Sequence, residues 1–213
     1  MSLNEWLIGY LLDATPSLEQ ELSTFRPSVC NRLDRNTSGI VLCGKSLAGL
    51  QYLSKCIKER TIKKFYRTIC LGEIKNPETV EGYLVKNASK NIVSVSKQNH
   101  DDKKASYIQT AYTPISSAKG YTLLEVELIT GKTHQIRAHL ASLGHPLIGD
   151  FKYGNEKSNR MVKSEYGLEH HLLHAYRVEF PVEEDTVGAS LGRKEICAPL
   201  PDDFKQLRDL LHL

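Results

Sequence analysis

The sequence predicts an α+β fold with a mainly antiparallel, mixed β-sheet and flanking helices. Predicted strands outnumber predicted helices, and they do not alternate with helices as they would in a parallel sheet. The clearest feature is a hairpin of Ala105–Ile115 and Tyr121–Ile129, joined by the turn segment Ser116–Gly120. The 213 residues suffice for one sizeable hydrophobic core, so we predict a single domain over residues 1–213.

Helices are predicted from the spacing of apolar residues and from capping residues. Ser46 is a suitable N-cap for a helix that ends near Arg60, and Gly144 followed by Pro146 is typical of a helix end. The predicted helices are Glu5–Asp13 with a further turn over Pro16–Leu22, Ser46–Arg60, Thr133–Leu143 with one apolar face, and Asp202–Leu211.

Besides the hairpin, short apolar or alternating runs predict further strands. These strands are Ile40–Cys43, which we expect to be buried, Phe65–Leu71, Ile92–Ser96 and Leu172–Phe180. We expect Asn76–Asn91 to consist mainly of loop.

Composition narrows the class of protein. The formal net charge of +3 is compatible with a nucleic-acid partner, and basic residues are concentrated in the first third of the chain. The five cysteines include no C-x-x-C pair, which favours reduced thiols in a cytoplasmic protein over a disulfide framework or a zinc site. No apolar run reaches the roughly 20 residues that a membrane helix needs. The histidines match no standard metal-binding spacing, so no metal is expected.

The segment Asn31–Ser46 carries the first candidate site. It places Asp34 between Arg32 and Arg35, followed by a turn-forming Asn-Thr-Ser-Gly run. The neighbouring positive charges favour an ionised carboxylate, which can act as a nucleophile or as a fixed base. A surface cluster of ion pairs ahead of a core strand would explain the same residues.

The segment Thr130–His139 carries the second candidate site. A strand end, a glycine turn and a helix start meet within ten residues, and Lys132 and Arg137 add positive charge at the helix N-terminus. We therefore expect an anion site here. Arg137 follows the core-facing Ile136, so we also expect it at a half-buried boundary, where it could form an ion pair with Asp34. A basic, exposed helix end is the alternative.

These motifs together resemble those of the RluA-type pseudouridine synthases. Asn31–Gly39 is similar to that family's His-Arg-Leu-Asp-Arg-Asp-Thr-Ser-Gly signature, with Asn31 in place of His and Asn36 in place of Asp. Further along, the chain has the family's ordered elements Lys64-Phe-Tyr66, Thr130–His139, Gly144–Asp150 and Leu172–Ala175. The resemblance extends from about Cys30 to Pro201, which is nearly the whole chain.

The resemblance implies roles for individual residues. Asp34 corresponds to the catalytic aspartate, Arg137 to its basic partner, and Tyr66 to a tyrosine that stacks on the target base and can assist proton removal. Leu173 corresponds to the apolar floor of the uracil pocket, and Arg32 to an arginine that fills the gap left by a flipped uridine.

Three further residues complete the predicted substrate-binding set. They are Arg35, Lys132 and His134.

The implied reaction is the isomerisation of uridine to pseudouridine in structured RNA, by an intramolecular transfer that uses no cofactor or metal. Large-subunit ribosomal RNA is the expected substrate and tRNA the alternative, for a cytoplasmic, monomeric enzyme without a membrane partner. Two other functions are compatible with the residues: an RNA-binding paralogue without catalysis, and a hydrolytic N-glycosidase that would release uracil.

Compared with the family, the sequence lacks an N-terminal Asn-Lys-Pro-x-Gly strand and any S4-type domain. We expect that it begins late.

Overall fold

The computed structural model describes residues 2–15, 20, 22–87, 92–98, 105–182 and 194–213. Within these ranges the chain forms two compact units. The first unit comprises Met1–Leu33, Ile40–Ile62 and Glu179–Ile196, and the second comprises Asp34–Gly39, Lys63–Val178 and Cys197–Leu213. The sequence-based assignment of a single domain stays a prediction.

In chain order, the helices and strands of the described residues are α1 (Leu3–Ala14), β1 (Ser28–Val29), β2 (Ser38–Gly39), β3 (Cys43–Gly44), α2 (Leu47–Glu59), β4 (Lys63–Leu71), β5 (Glu78–Asn87), β6 (Ile92–Ser96), β7 (Ser106–Ala118), β8 (Tyr121–Leu128), α3 (Gln135–Ser142), α4 (Glu156–Tyr166), β9 (Leu173–Glu179), β10 (Glu195–Cys197) and α5 (Asp202–Leu210).

The first unit contains α1, α2 and the short antiparallel pair of β1 and β3. The predicted cap of α2 is confirmed, because the Ser46 hydroxyl accepts a hydrogen bond from the Gly49 N–H at 3.2 Å. The helix ends at Glu59, with Arg60 in a left-handed conformation. The turn predicted over Pro16–Leu22 lies largely outside the described residues.

The predicted strand Ile40–Cys43 is wrong. Only Cys43 belongs to a strand, the two-residue β3, and only Leu42 of the segment is buried. The Leu42 N–H donates to the Asn31 side chain at 2.7 Å, and its carbonyl accepts from the Cys30 N–H at 2.7 Å. A side chain therefore accepts from the Leu42 N–H in place of a backbone carbonyl of a partner strand, which the apolar run alone could not reveal.

The second unit contains a twisted sheet with the strand order β9–β4–β8–β7–β5–β6. The pairs β4/β8, β8/β7, β7/β5 and β5/β6 are antiparallel, whereas the short β2 pairs in parallel with β9. The predicted fold class is confirmed. The predicted hairpin is confirmed as β7 and β8, joined by Lys119 and Gly120, which both have positive φ as tight hairpin turns require.

Two elements differ from the sequence prediction. Asn76–Asn91 was expected to be loop, but β5 occupies Glu78–Asn87. One of its buried positions is Gly82, which has no apolar side chain. The alternation of apolar and polar residues that would predict a strand is therefore weak. The helix α4 was not predicted because its buried residues are only Asn159 and Val162. Its capping residues, Asn155 at the start and Gly167 at the end, were the available signal.

The main core of the second unit lies between the sheet and the helices α4 and α5. Its buried residues are Ile69, Tyr121, Leu123, Ile148, Val162, Leu168, Leu172, Phe204, Leu207 and Leu211. A smaller cluster of Leu84, Val93, Ile108 and Ala138 packs α3 onto the sheet. Among the described residues, no helix is long and apolar enough to cross a bilayer.

The helix α3 differs from the predicted one-sided helix, because every residue from Gln135 to Leu140 is buried. Polar side chains within it are satisfied by the sheet. The Gln135 side-chain amide donates to the Gln109 carbonyl and the Thr110 hydroxyl at 3.0 Å each, and its oxygen accepts from the Thr130 hydroxyl at 2.8 Å. These bonds fix the start of α3 against β7 and thereby position Arg137 two residues further on.

Candidate active site

Asp34 begins the short segment Asp34–Gly39, which ends in β2 against β9. The Thr37 N–H donates to the Asp34 carbonyl at 2.9 Å, and Asn36 between them has a φ of 69°. Gly39 has a φ of 108°, and a Cβ there would lie 2.2 Å from the Ala175 carbonyl oxygen. The Asn-Thr-Ser-Gly run is therefore needed for the tight turn and close strand contact that place Asp34.

Two histidines next to β2 hold this segment in place. Thr37 Oγ1 is hydrogen-bonded to His171 Nε2 at 3.1 Å, and Ser38 Oγ to His174 Nδ1 at 2.8 Å. Burial, followed by the positive charge of Arg137, lowers the pKa of His171 to about 4. His171 is therefore neutral at physiological pH. Depending on its tautomer, its Nε2 atom either accepts a hydrogen bond from the Thr37 hydroxyl or donates one to it.

Arg137 lies in α3 and is 6% exposed. Its Nε and Nη2 atoms donate to the two carboxylate oxygens of Asp150 at 2.8 and 2.9 Å. Its Nη1 atom reaches Asp34 Oδ2 at 3.5 Å, which is a longer and weaker contact. One buried cation thus serves two carboxylates, and its bidentate partner is Asp150.

Asp150 is 1% exposed, and each of its polar atoms has a partner. Its Oδ1 atom also accepts from the backbone N–H groups of Lys152 at 2.9 Å and Tyr153 at 3.1 Å. Burial raises the pKa of the Asp150 carboxyl, but the hydrogen bonds and charge of Arg137 and these N–H groups outweigh burial, so the net pKa is lowered. Asp150 is therefore ionised throughout the physiological range.

A buried asparagine of α4 fixes the backbone on which Asp150 lies. The Asn159 Nδ2 group donates to the Asp150 carbonyl at 2.8 Å, and its Oδ1 atom accepts from the Gly149 N–H at 3.1 Å. This contact explains why a polar residue occupies one of the two buried positions of α4.

Tyr66 is an inward-facing residue of β4 and is 6% exposed. Burial, followed by the negative charge of Asp34, raises the pKa of Tyr66 to about 12. The phenol therefore stays protonated at neutral pH and is a hydrogen-bond donor and an apolar ring surface there.

Tyr153 connects His134 with Arg137. Its ring lies under the Arg137 guanidinium, with 5.2 Å between Cζ and the ring centroid. Its hydroxyl accepts from the Val93 N–H at 3.0 Å and lies 2.7 Å from His134 Nδ1. Burial lowers the pKa of His134; the charge of Asp34 opposes this and that of Arg137 adds to it. The Tyr153 hydroxyl can therefore donate to a neutral imidazole.

The remaining predicted site residues have different environments. Leu173 is buried at the start of β9, whereas Arg35 and Lys132 are exposed. Arg32 is exposed and belongs to the first unit.

Two sequence-based expectations need correction. Arg137 was expected at a half-buried boundary, but it is buried. The expected ion pair with Asp34 is present at 3.5 Å, whereas the main partner of Arg137 is Asp150. Arg137 was also expected to form an anion site with Lys132. Because its donor atoms are directed to Asp150 and Asp34, the guanidinium is already neutralised by the protein's own carboxylates.

Sequence reasoning also missed four residues of the site. Asp150 lies within the quoted Gly144–Asp150 motif, so its position was available although its pairing was not. Tyr153 and Asn159 follow within ten residues, and His171 directly precedes the Leu172–Ala175 motif. None of these four contacts can be read from residue spacing, because the partners lie on separate elements.

The arrangement gives Asp34 a particular chemical capacity. Its side chain is 23% exposed, compared with 0% for that of Asp150, and both contact the same arginine. A carboxylate that solvent can reach and that a buried cation contacts through one nitrogen can attack an electrophilic carbon or accept a proton.

Comparison with known proteins identifies the family. Residues 12–142, more than half of the chain, match the family described as RNA pseudouridylate synthase. Ribosomal large subunit pseudouridine synthase C of Vibrio vulnificus is 33% identical over 178 residues, which are 83% of this chain and 53% of the relative. Ribosomal large subunit pseudouridine synthase D of Nitrosomonas europaea is 30% identical over 202 residues, which are 94% of this chain and 55% of the relative. The chain spans about half the length of these curated relatives.

Two solved human structures share the fold. RNA Pseudouridylate Synthase Domain Containing 4 has a TM-score of 0.71 and 21% identity, covering 95% of this chain and 83% of its own. RNA Pseudouridylate Synthase Domain Containing 1 has a TM-score of 0.65 and 21% identity, and the match covers 94% of this chain and 86% of that structure's chain. The family inferred from the motifs is confirmed, and the chain belongs to the RNA pseudouridylate synthases.

Proposed function

We propose that this protein isomerises uridine to pseudouridine in RNA and that Asp34 is its catalytic carboxylate. The observation that carries the proposal is the contrast within the site. Asp34 is reachable by a substrate and is bonded to a buried arginine, which itself is locked by Asp150. The names of the relatives, which are ribosomal large subunit pseudouridine synthases, support the reaction class.

The reaction rearranges bonds without a net change in composition. The glycosidic bond between the ring nitrogen and the anomeric carbon breaks, the uracil turns, and carbon 5 bonds to the anomeric carbon. The proton lost from carbon 5 is balanced by the proton gained at the ring nitrogen. Asp34 can serve in two ways: its oxygen attacks the anomeric carbon and later leaves, or it removes and returns a proton of the sugar.

The neighbouring residues suit supporting roles in either route. Arg137 orients the Asp34 carboxylate through Nη1. Tyr66 presents a neutral phenol ring near Asp34, which fits stacking on the uracil, and its hydroxyl can take part in transfer of the carbon 5 proton. Leu173 is buried at the start of β9 and would supply the apolar floor of the pocket.

For the RNA substrate, we propose large-subunit ribosomal RNA, because the relatives' names specify it. The exposed Arg35 and Lys132 would contact phosphates, and His134 a polar edge of the substrate. Arg32 would occupy the space that the extruded uridine leaves. The monomeric state and the cytoplasmic location inferred from the sequence stay predictions.

The deciding experiment maps pseudouridine in RNA. Unmodified large-subunit ribosomal RNA and unmodified tRNA are incubated with the protein and with an Asp34→Asn variant, and modified positions are read by chemical mapping. We expect site-specific pseudouridine with the parent protein and none with the variant. Release of free uracil would indicate an N-glycosidase instead, and RNA binding without either product would indicate a non-catalytic paralogue.

A further inference from the structure

Phe151 is an exposed aromatic residue directly after Asp150. Its side chain is 57% exposed, more than any other large apolar side chain described in the second unit. Scattered exposed apolar residues are common on protein surfaces and need no explanation by themselves. The setting of Phe151 is what makes it informative.

The turn that carries Phe151 is tightly held. The Asp150 carboxylate accepts hydrogen bonds from the two residues that follow Phe151, and the Asp150 carbonyl accepts from the Gly154 N–H at 2.7 Å. The same carbonyl accepts from Asn159 of α4 at 2.8 Å. The backbone on both sides of Phe151 is therefore fixed to buried groups, so a ligand that contacts this ring loses little additional entropy by ordering the chain.

The turn also lies beside the candidate catalytic group. Asp150 shares Arg137 with Asp34, and consecutive Cα atoms are about 3.8 Å apart, so the Phe151 backbone is next to a residue of the ion-pair network. Lys152 follows it, with its ammonium group 5.9 Å from the centre of the Tyr153 ring. An exposed aromatic ring can stack on an unstacked RNA base, and a lysine one residue further along the chain can contact a phosphate.

We propose that Phe151 is a stacking surface for a nucleobase that neighbours the target uridine in the RNA. The proposal rests on the proposed function in so far as it takes RNA as the substrate. A uridine that is extruded for reaction leaves its neighbours unstacked, and an exposed ring on the turn next to Asp150 can recover stacking for one of them.

Affinity gives the first test. Stacking on an aromatic side chain accounts for roughly a 5- to 150-fold change in affinity per base on substitution by alanine. We therefore expect Phe151→Ala to weaken binding of a uridine-containing single-stranded 12-mer by a factor in that range, and Phe151→Trp to bind at least as tightly as the parent. Phe151→Leu keeps an apolar group without a ring and should resemble Phe151→Ala. Ile115→Ala, at a residue of β7 that is 46% exposed, should bind like the parent.

Fluorescence gives the second test. Trp6 is the only tryptophan of the chain, so a Trp6→Phe background allows a single reporter to be placed at will. In this background, with Asp34→Asn to prevent turnover, we expect the 12-mer to quench the fluorescence of Phe151→Trp strongly. The matched reporter Ile115→Trp should show little quenching.

The outcomes separate the two proposals. Equal quenching of both reporters, or an unchanged affinity for Phe151→Ala, would overturn the stacking role. Because the reporter detects contact and not turnover, a protein that quenches on RNA but forms no pseudouridine would contradict the proposed function and leave the stacking role supported. A change in the salt dependence of binding for Phe151→Ala would also count against stacking, since a ring carries no charge to release counterions.

Discussion

The two carboxylates that share Arg137 lie in different surroundings. Asp150 is buried, has bidentate bonds to the guanidinium and accepts two backbone hydrogen bonds besides. Asp34 lies directly before the turn that leads into the two-residue β2, is partly exposed, and contacts Arg137 through one nitrogen at 3.5 Å. Within the described part of the chain, the carboxylate of Asp150 has more hydrogen-bond donors around it than that of Asp34.

This difference suits the two carboxylates to different roles, one structural and one in the reaction. A fully bonded, buried carboxylate is a poor nucleophile, since each lone pair is already used, but it fixes the cation beside it. A carboxylate with one long contact keeps the benefit of the cation and remains available to react. Asp150 should therefore matter mainly to the stability of the site and Asp34 mainly to turnover.

Asp34→Asn should give the largest effect on activity. The amide can neither attack the sugar nor accept its proton, so we expect pseudouridine formation to fall by at least about three orders of magnitude. The thermal midpoint and the RNA affinity should change little, because Asp34 is partly exposed and contacts no phosphate in the proposed complex. Single-turnover rates measure the loss, and residual turnover within tenfold of the parent would exclude Asp34 as the catalytic group.

Arg137→Ala should reduce both activity and stability. It leaves Asp150 charged and buried without its cation, which costs roughly 3–5 kcal/mol of unfolding free energy. Arg137→Lys is the informative control, because an ammonium cannot form the bidentate pair with Asp150 and also reach Asp34. Denaturant unfolding and turnover are measured together; a variant with a normal midpoint and normal rate would show that the ion pair contributes to neither.

Asp150→Asn tests the contrast directly. It places an amide NH₂ group or a neutral oxygen against the guanidinium and leaves Asp34 as the only carboxylate, among the described residues, that pairs with Arg137. We expect a loss of about 2–4 kcal/mol in stability, less than for Arg137→Ala because one counter-charge remains. The loss of turnover should be smaller than for Asp34→Asn. If Asp150→Asn abolished turnover in a fully stable protein, the division of roles between the two carboxylates would be wrong.

The sequence anticipated the residues of the site better than their contacts. Asp34, Tyr66 and Arg137 could be proposed as site residues because each lies in a motif of several residues with local turn or helix signals. Asp150 was inside such a motif and was still overlooked as a partner. An ion pair between α3 and the turn after Ile148 depends on how two elements pack, which local spacing does not encode.

The fold shows the same limit. Strands with regular apolar alternation, such as β4 and the β7–β8 hairpin, could be predicted from the chain alone. The strand β5 could not, because its pairing with β7 and β6 compensates for a glycine at a buried position. The helix α4 has few apolar residues. The burial of its Asn159 is explained only by the hydrogen bond to the Asp150 carbonyl, which the sequence does not show.

The histidine that holds the Asp34 segment should make stability depend on pH. The folded pKa of His171 is about 4, below the unfolded value of about 6.5, so the unfolded state binds a proton first as pH falls. The stability that neutral His171 provides is present above pH 6.5 and is lost towards pH 4. By linkage, the loss is about 1 kcal/mol at pH 5.5 and up to about 3 kcal/mol at pH 4.

The measurement compares denaturant unfolding of the parent and of His171→Asn at pH 7.5, 6.5 and 5.5. Asn keeps a hydrogen-bonding group near Thr37 but does not titrate. Burial also lowers the pKa values of His134, His139 and His174. These three histidines are present in both proteins, so their effect on stability is the same in each. The difference between the two curves therefore isolates His171, and parallel curves would contradict its assignment as a buried, neutral residue.

Arg32→Ala should have the smallest effect and the most selective one. Arg32 is exposed in the first unit, so its loss should not change stability or the ion-pair network of Asp150. We expect the reaction on a structured RNA to slow far more than the reaction on a short unstructured strand with the same uridine. Only a stacked or paired uridine must be extracted, at a cost of a few kcal/mol, and only then does a residue that fills the vacated space recover part of that cost.

An arginine suits this role because its planar cation can stack on neighbouring bases and reach phosphates. If Arg32 were instead one more phosphate contact, both RNAs would react more slowly by the same factor, and the slope of log affinity against log salt would fall by about one unit. Single-turnover rates on the two RNAs at two salt concentrations distinguish these cases. Equal losses on both strands would rule out a role for Arg32 in filling the gap, and would place it with Arg35 and Lys132 as a backbone contact.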